Sequence, residues 1–468
     1  MDITKLKSRR FLFYSVCFIL LFLSFFLNLF QVVLTDSYKN YETFVEAMVT
    51  GKMAKMEKDG MFAAAGFPGV NYDKSLITDS VTLANADNID DLITRDNIIA
   101  QFKPEQINYY YNAESTPDDY CVYVSHSGGQ VLFYYLIQKV LPFDPPVKYQ
   151  ILRAINCALM ALCFMLFIGW VYRNFRFVAA LVTFLFIFLS SWLVLFAGNG
   201  LWWSLWNFFA PFLVMLLLLE KKHNNPDSIS YTKIFVCLFF AFIIKLMFSG
   251  LEFISTAMLT PFIPILYYSW LERDKLIDFI KKSLKATGAV VGAVVLQFLV
   301  LILQLKVYLG TFAAAYSYIM NAFVRRASFQ SGLTDYDHGE RFADSGSLSF
   351  LWNNVLKDYL RGDVFFWEFF PPGFQFFFAY LIGLFILAGG AICILNKRKN
   401  SERKFNALLI ATAVSIACPM SWYIIFKEHS FWHPQIDYII WYMPFLLLGF
   451  AVIGVGISFI INKIRGKA

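Results

Sequence analysis

The chain has 468 residues, of which 58% are hydrophobic, 19% aromatic and only 16% charged, with a mean hydropathy of +0.56. Soluble domains are about half apolar and a quarter charged, so the 53 Phe and their apolar companions would overfill a globular core, and lipid must solvate part of the surface. The formal net charge of +7 is no nucleic-acid signature, because Lys and Arg gather in short breaks between apolar runs, where charge sets membrane orientation.

A basic start (Lys5, Lys7, Arg9, Arg10) leads into an uncharged apolar run at 11–34. That run is too long for the core of a signal peptide and no small-residue cleavage site follows, so it reads as an uncleaved first span. Further apolar runs lie near 151–171, 177–196, 203–219, 233–249, 253–270, 286–308, 374–395, 405–426 and 438–461. At about 20 residues per crossing the expectation is about ten spans. With the N-terminus in the cytoplasm, the basic breaks at 172–176, 220–223, 272–285 and 396–404 and the tail at 462–467 all fall on the cytoplasmic side, as positive-inside orientation requires. The chain then divides into a first span (1–35), a first outer segment (36–148), spans two to seven (149–309), a second outer segment (310–372) and spans eight to ten (373–468). The break at 271–285 mixes apolar and charged residues at helical spacing, and reads either as an amphipathic helix on the inner surface or as a solvated connector. Six of the seven Cys sit in apolar runs and only Cys121 in an outer segment, so neither a disulfide framework nor a cysteine metal site is expected.

A bundle needs only tight turns, so two long outer segments point to function. The first opens with Asp36 where the first span emerges, and continues into an amphipathic stretch at 41–56 carrying Glu42 and Glu46. An acid beside low-dielectric lipid is suitably placed for a general base; a solvated helix cap is the bland alternative. Ser125-His126-Ser127-Gly128-Gly129 then leads into an aromatic-rich stretch at 130–142, too short to span and expected to lie in the outer interface. His126 is a candidate substrate ligand, with capping or packing as the alternative. In the second outer segment, Arg325 and Arg326 follow closely after a span, and paired guanidinium groups suit a donor phosphate.

Lys245 lies near the outer end of an apolar run, with Glu252 just beyond Ser249-Gly250. Intramembrane charge reads as functional by default, so Lys245 joins the phosphate-binding candidates and Glu252 the substrate-binding ones, against simple snorkelling of the amine. Lys427, His429 and His433 crowd one outer turn between the last two spans and complete the substrate-binding candidates. Two His at i and i+4 suit a metal on a helix, but Pro434 and the turn context argue against one, and no metal site is assigned.

The order of parts resembles the GT-C superfamily of polyprenyl-phosphosugar glycosyltransferases. In its aminoarabinose and protein-mannosyl transferases an Asp follows the first span, an amphipathic helix ending in Met and Gly comes next, and a His-Pro-Pro-Leu motif opens the interfacial helix. The matching positions here are Asp36, the stretch 41–51 with Met48, Ser125-His126-Ser127-Gly128-Gly129-Gln130, and Arg153 at the head of the second span. The match runs over residues 1 to 220. Ser37 replaces the usual Glu beside the Asp, and the Pro-Pro pair is absent, which leaves the catalytic role open among Asp36, Glu42 and Glu46. The hydrophobic build also resembles the serotype-converting O-antigen glucosyltransferases, and Trp441-Tyr442-Met443-Pro444-Phe445 resembles segments of bacterial membrane glycosyltransferases of unassigned substrate.

The resemblance implies an all-α polytopic membrane protein, a GT-C-like bundle of about ten transmembrane helices with interfacial helices and two large periplasmic loops, in the bacterial inner membrane. It implies inverting transfer of a sugar from an undecaprenyl-phosphate carrier to a glycan or lipid-linked acceptor such as O-antigen of lipopolysaccharide. Asp36 would take the acceptor proton, and Arg325, Arg326 and Lys245 would meet the departing phosphate. No cofactor is implied; a divalent metal is compatible but not required, and no nucleic acid is a partner. Three other readings stay open: a surface-polysaccharide polymerase or ligase with a pyrophosphate-linked donor, a lipid or sugar transporter, and a structural subunit with a protein partner. A transporter would show repeats and interrupted helices in matching halves, and no repeat is evident.

Overall fold

The computed structural model describes residues 3–29, 31–32, 36–86, 92–124, 126–198, 200–326, 347–367, 371, 374–395, 399–426, 429–430 and 433–465; the side chains of 3–9, 36–38, 92, 322–326, 348, 354, 399–402 and 434–435 are not among those described. The first apolar run forms α1 (Ile3–Leu27). It ends at Asn28, whose φ of 48° suits a short polar side chain, and whose amide bonds the Val32 backbone in both directions at 3.2 and 2.9 Å. The chain then enters α2 (Asp36–Asp59).

α2 is no surface helix. Val45, Met48, Val49 and Met53 are buried, and so are its polar Thr50, Lys52 and Lys55. Around it fold β1 (Gly69–Tyr72), α3 (Ser80–Asn85), α4 (Leu92–Phe102), α5 (Gln106–Tyr111) and β2 (Asp119–Val122), the strands pairing antiparallel with Gly69 opposite Val122. The expected amphipathic stretch at 41–56 is therefore the central helix of a small unit outside the apolar bundle, its buried amines bonded to backbone carbonyls such as Lys55 to Asp118 O at 2.8 Å. α6 (Gly129–Val140) buries Val131, Tyr134, Tyr135 and Gln138 while Leu136 and Val140 stay exposed. A helix apolar on both sides suits a position between protein and lipid.

α7 (Pro145–Phe188) has 44 residues, about 66 Å at 1.5 Å per residue, roughly twice a hydrocarbon core. It breaks at Arg176, where φ is 72°. The first arm runs against α1, with Phe13 and Tyr172 rings 5.5 Å apart and Phe25 and Phe164 rings 6.0 Å apart. Then follow α8 (Ser191–Gly198), α9 (Trp206–Asn224), α10 (Tyr231–Ser249), α11 (Ile254–Leu259), α12 (Phe262–Glu272), α13 (Leu276–Leu309), α14 (Phe312–Arg326), α15 (Phe378–Leu395), α16 (Lys399–Ser415), α17 (Ala417–Ile425) and α18 (Phe445–Ile464). The second arm of α7 lies on α18, where Phe186 and Phe450 stack at 5.0 Å.

Among the described residues, 8 helices are long and apolar enough to cross a membrane, so the chain is an all-α, multi-pass membrane protein. The expected ten exceed this for two reasons. The runs at 151–171 and 177–196 share the broken helix α7, and α9 ends in Glu220, Lys221 and Lys222. The segment 276–285 is not a separate surface helix, either: it forms the first turns of α13, 34 residues long and unbroken, because nothing between 276 and 309 stops a helix. Two candidate spans are interrupted, α11 from α12 near Thr260 and Pro261, and α16 from α17 at Ile416, and the two lie side by side.

At the end of the bundle far from α2, charges close the packing. Arg173 grips Glu220 through two nitrogens, Asn174 adds a bond at 2.9 Å, and Lys282 reaches Glu272 and Asp274 at 3.0 and 2.6 Å. Between α7 and α18 the approach needs a glycine: a Cβ on Gly454 would stand 2.6 Å from Ala179 O and 2.8 Å from its Cα. Gly454→Val is expected to cost about 1–3 kcal/mol and lower the thermal midpoint of the purified protein in detergent. An unchanged midpoint would contradict this packing of the second arm.

Candidate functional site

The acids of α2 meet the turn that follows α8. Glu42 and Glu46 are one turn apart and share a helix face. Glu46 Oε2 accepts hydrogen bonds from Leu201 N at 2.7 Å and Trp202 N at 3.1 Å, and Oε1 accepts from the Tyr149 hydroxyl at 2.9 Å. The turn can approach only because residue 200 is glycine: its φ is +67°, and a Cβ there would stand 2.3 Å from Glu46 Oε2. α7 ties the same turn from the other side, Arg153 donating to Gly198 O at 2.8 Å and Asn156 to Trp203 O at 3.1 Å. Burial raises the Glu46 carboxyl above its ordinary value, against the two amides, the phenol and Arg153. Glu42, half-buried, receives no hydrogen bond among the described residues; burial and then the Glu46 charge, opposed by Arg153, push its carboxyl up to about 7.

His126 and Lys245 stand behind this rim as braces. The His126 ring is buried 5.0 Å from the Trp202 ring, with Nδ1 accepting from Gly128 N at 3.2 Å. Burial pushes it down to about 4, against a bond to the Phe248 backbone, so it is neutral at ordinary pH. Its neighbours bond too: Ser127 Oγ donates to Met247 O at 3.3 Å, and Gln304 Nε2 to Ser127 O at 3.0 Å. Lys245, fully buried, bonds the carbonyls of Gly250 and Glu252, with its ammonium 5.1 Å from the Phe208 ring centre. It closes the turn after α10 and does not snorkel. Glu252 is half-buried in that turn.

The turn between α17 and α18 brings the histidines to α2. His433 N donates to His429 O at 2.9 Å, and the two rings lie 4.6 Å apart. Six aromatic rings then form a closed circuit: Tyr41 to Trp203 (6.2 Å), to Phe253 (6.3 Å), to Trp422 (5.2 Å), to His429 (5.2 Å), to His433, and back to Tyr41 (6.4 Å). The circuit links α2, the turns after α8 and α10, α17 and the turn before α18. Asp437, wholly buried beneath it, faces His429.

Glu42, Glu46, His429 and His433 thus share one rim. Asp36 is the first residue of α2, and Arg325 and Arg326 are the last two of α14, but their side chains, and Lys427 altogether, lie outside the described residues. Sequence reasoning missed Tyr149 and Asp437. An acid entering an apolar stretch was the available signal for Asp437; nothing in the sequence marked Tyr149. Among the described residues no group of three or more His, Cys, Asp or Glu is arranged to hold a metal ion. No family model matches the chain, and no similar curated protein or solved structure is found.

The two acids are expected to behave in opposite ways. Glu46→Ala leaves two amides and a phenol without their acceptor, at about 1–3 kcal/mol each where buried, and should sharply lower the thermal midpoint. The Glu42 carboxyl is raised from an ordinary 4.5 to about 7, so its favourable contribution is present below pH 4.5 and lost as pH rises through about 7. Glu42→Gln should therefore be near neutral at pH 5 and raise the midpoint at pH 8. A variant less stable than wild type at pH 8 would contradict this electrostatic picture.

Proposed function

We propose that the chain is a glycosyltransferase of the bacterial cytoplasmic membrane that moves a sugar from undecaprenyl phosphate to a glycan or lipid-linked acceptor. With both arms of α7 and α9 counted, it crosses the bilayer about ten times, with its termini in the cytoplasm and its α2 end outside. Supporting that orientation, Arg10, Arg173, Lys221, Lys222, Lys282 and Lys404 gather at the opposite end. The observation that carries the chemistry is Glu42: a half-buried carboxylate with no hydrogen-bond donor among the described residues, poised near neutrality between Glu46 and Arg153, on a helix that begins where the first span ends.

In the proposed step the acceptor oxygen bonds the anomeric carbon while the carbon to phosphate-oxygen bond breaks, its electron pair leaving with the lipid phosphate. The acceptor proton passes to Glu42, or to Asp36 at the start of the same helix. Arg325 and Arg326 supply charge for the leaving phosphate, which departs without need of a metal. Lys245, already bonded to two carbonyls, supports the site from behind. One observation favours a transporter instead: the interrupted pairs α11–α12 and α16–α17 lie side by side, as paired broken helices do in carriers.

Purified protein in nanodiscs, given undecaprenyl-monophosphate-linked or undecaprenyl-pyrophosphate-linked radiolabelled sugars and a glycan acceptor, tests the reading. Transfer from the monophosphate donor is expected, rising as pH passes about 7, with Glu42→Gln slower by about a hundredfold or more. Wild-type turnover in both Glu42→Gln and Asp36→Asn would remove the α2 acids from the chemistry. Transfer from the pyrophosphate donor alone would mark a polymerase or ligase, and sugar crossing vesicles without a new glycosidic bond a transporter.

A further inference from the structure

Asp437 is 0% exposed, and its carboxylate is only partly satisfied. Oδ2 accepts from Trp422 Nε1 at 2.7 Å and Ser430 Oγ at 2.6 Å, while the buried Oδ1 has no partner among the described residues. The same Oδ2 stands 3.5 Å from His429 Nδ1, itself a buried nitrogen without a hydrogen-bond partner among the described residues. Two buried polar groups left unpaired side by side are rare in proteins, and each is costly, so a small shift that joins them is favoured. The ring is gripped as well: Trp422 meets it edge-on at 80°, and His433 lies against it. Buried Tyr359 fixes the turn by donating to Ser430 O at 2.9 Å. The His429 side chain is nevertheless 20% exposed. With Nδ1 on the buried side, Nε2 is the nitrogen left for a ligand.

We infer that Asp437 is a positioning residue that fixes the proton on His429 Nδ1, so that Nε2 offers its lone pair to a hydroxyl of a carbohydrate substrate. A carboxylate behind one imidazole nitrogen sets the tautomer and aims the other. Sugar rings present hydroxyls around an apolar C–H face, and the half-buried Tyr41 and His433 rings beside His429 supply the complementary apolar surface. The identity of the hydroxyl rests on the glycosyl-transfer reading; the orientation of the imidazole does not.

Full-length protein labelled with 15N-histidine in nanodiscs at pH 8, with His429 assigned by its loss in His429→Gln, reports the tautomer directly. The expected result is hydrogen on Nδ1 in wild type and a shift toward hydrogen on Nε2 in Asp437→Asn, whose amide oxygen still accepts from Trp422 and Ser430. In the transfer assay Asp437→Asn and His429→Gln should each raise KM at least tenfold with a smaller change in kcat, and the double variant should lose no more than either. A KM change for the donor assigns the hydroxyl to the transferred sugar, and one for the acceptor assigns it to the glycan. Hydrogen on Nε2 or on both nitrogens in wild type, or an Asp437→Asn protein with unchanged tautomer, would overturn the inference. Should wild type transfer no sugar, the functional reading falls while the tautomer still decides the link between Asp437 and His429.

Discussion

Glu46 reaches from the second helix to a turn some 155 residues later and takes hydrogen bonds from two successive backbone amides, Leu201 N and Trp202 N, and from the Tyr149 hydroxyl. A carboxylate has acceptor capacity for all three, and bonds to a charged acceptor are stronger than neutral ones. That one side chain joins α2, α7 and the turn after α8. It also sets the electrostatics of the rim, because its charge, confined near Glu42, is one of the forces that lift the neighbouring carboxyl toward neutrality. Remove it and the scaffold loses its tie together with one of the two forces that raise the Glu42 carboxyl, burial being the larger.

The rest of the rim is built by the same logic of polar side chains answering backbone groups of distant turns. Lys245 answers the carbonyls exposed where α10 ends at Gly250, and Gln130 donates to Trp202 O at 3.1 Å. Gln304 on α13 holds both Ala65 O and Ser127 O. In a lipid-bounded molecule these bonds matter more than in a soluble one, since no water waits to satisfy a carbonyl left open. With the turns held in this way, the half-buried Tyr41, Glu42 and His433 keep part of their surface turned toward whatever enters from the α2 end.

Much of the bundle was legible in the sequence, because an apolar run of about 20 residues has few homes other than a membrane helix. What the runs could not tell was connectivity. Arg176 sits in a basic break whichever way the chain turns, and only packing of Phe186 on Phe450 and of Gly454 on Ala179 reveals that α7 folds its second arm onto the last helix. At 271–285 charges among apolar residues left a surface helix and a solvated connector both open, and residues 276–285 instead begin α13, because no breaker separates them from the span beyond. In the site, sequence pointed to Glu42, Glu46, His429 and His433 because they are ionisable groups at span ends. It could not show that Lys245 and His126 face inward, since charge in an apolar run has the same appearance whether its partner is a ligand or a carbonyl. Tyr149 and Asp437 gain their roles from neighbours far along the chain, which no local pattern records.

Glycosyl transfer at the proposed site requires the α2 end to face away from the cytoplasm. In a chain whose own cysteines are replaced by serine, Glu114→Cys, exposed in the unit around α2, and Arg465→Cys, exposed after α18, report the two ends separately. A membrane-impermeant maleimide added to intact spheroplasts should label position 114 at once and position 465 only after the membrane is opened. Labelling of 465 alone in intact spheroplasts would contradict the account.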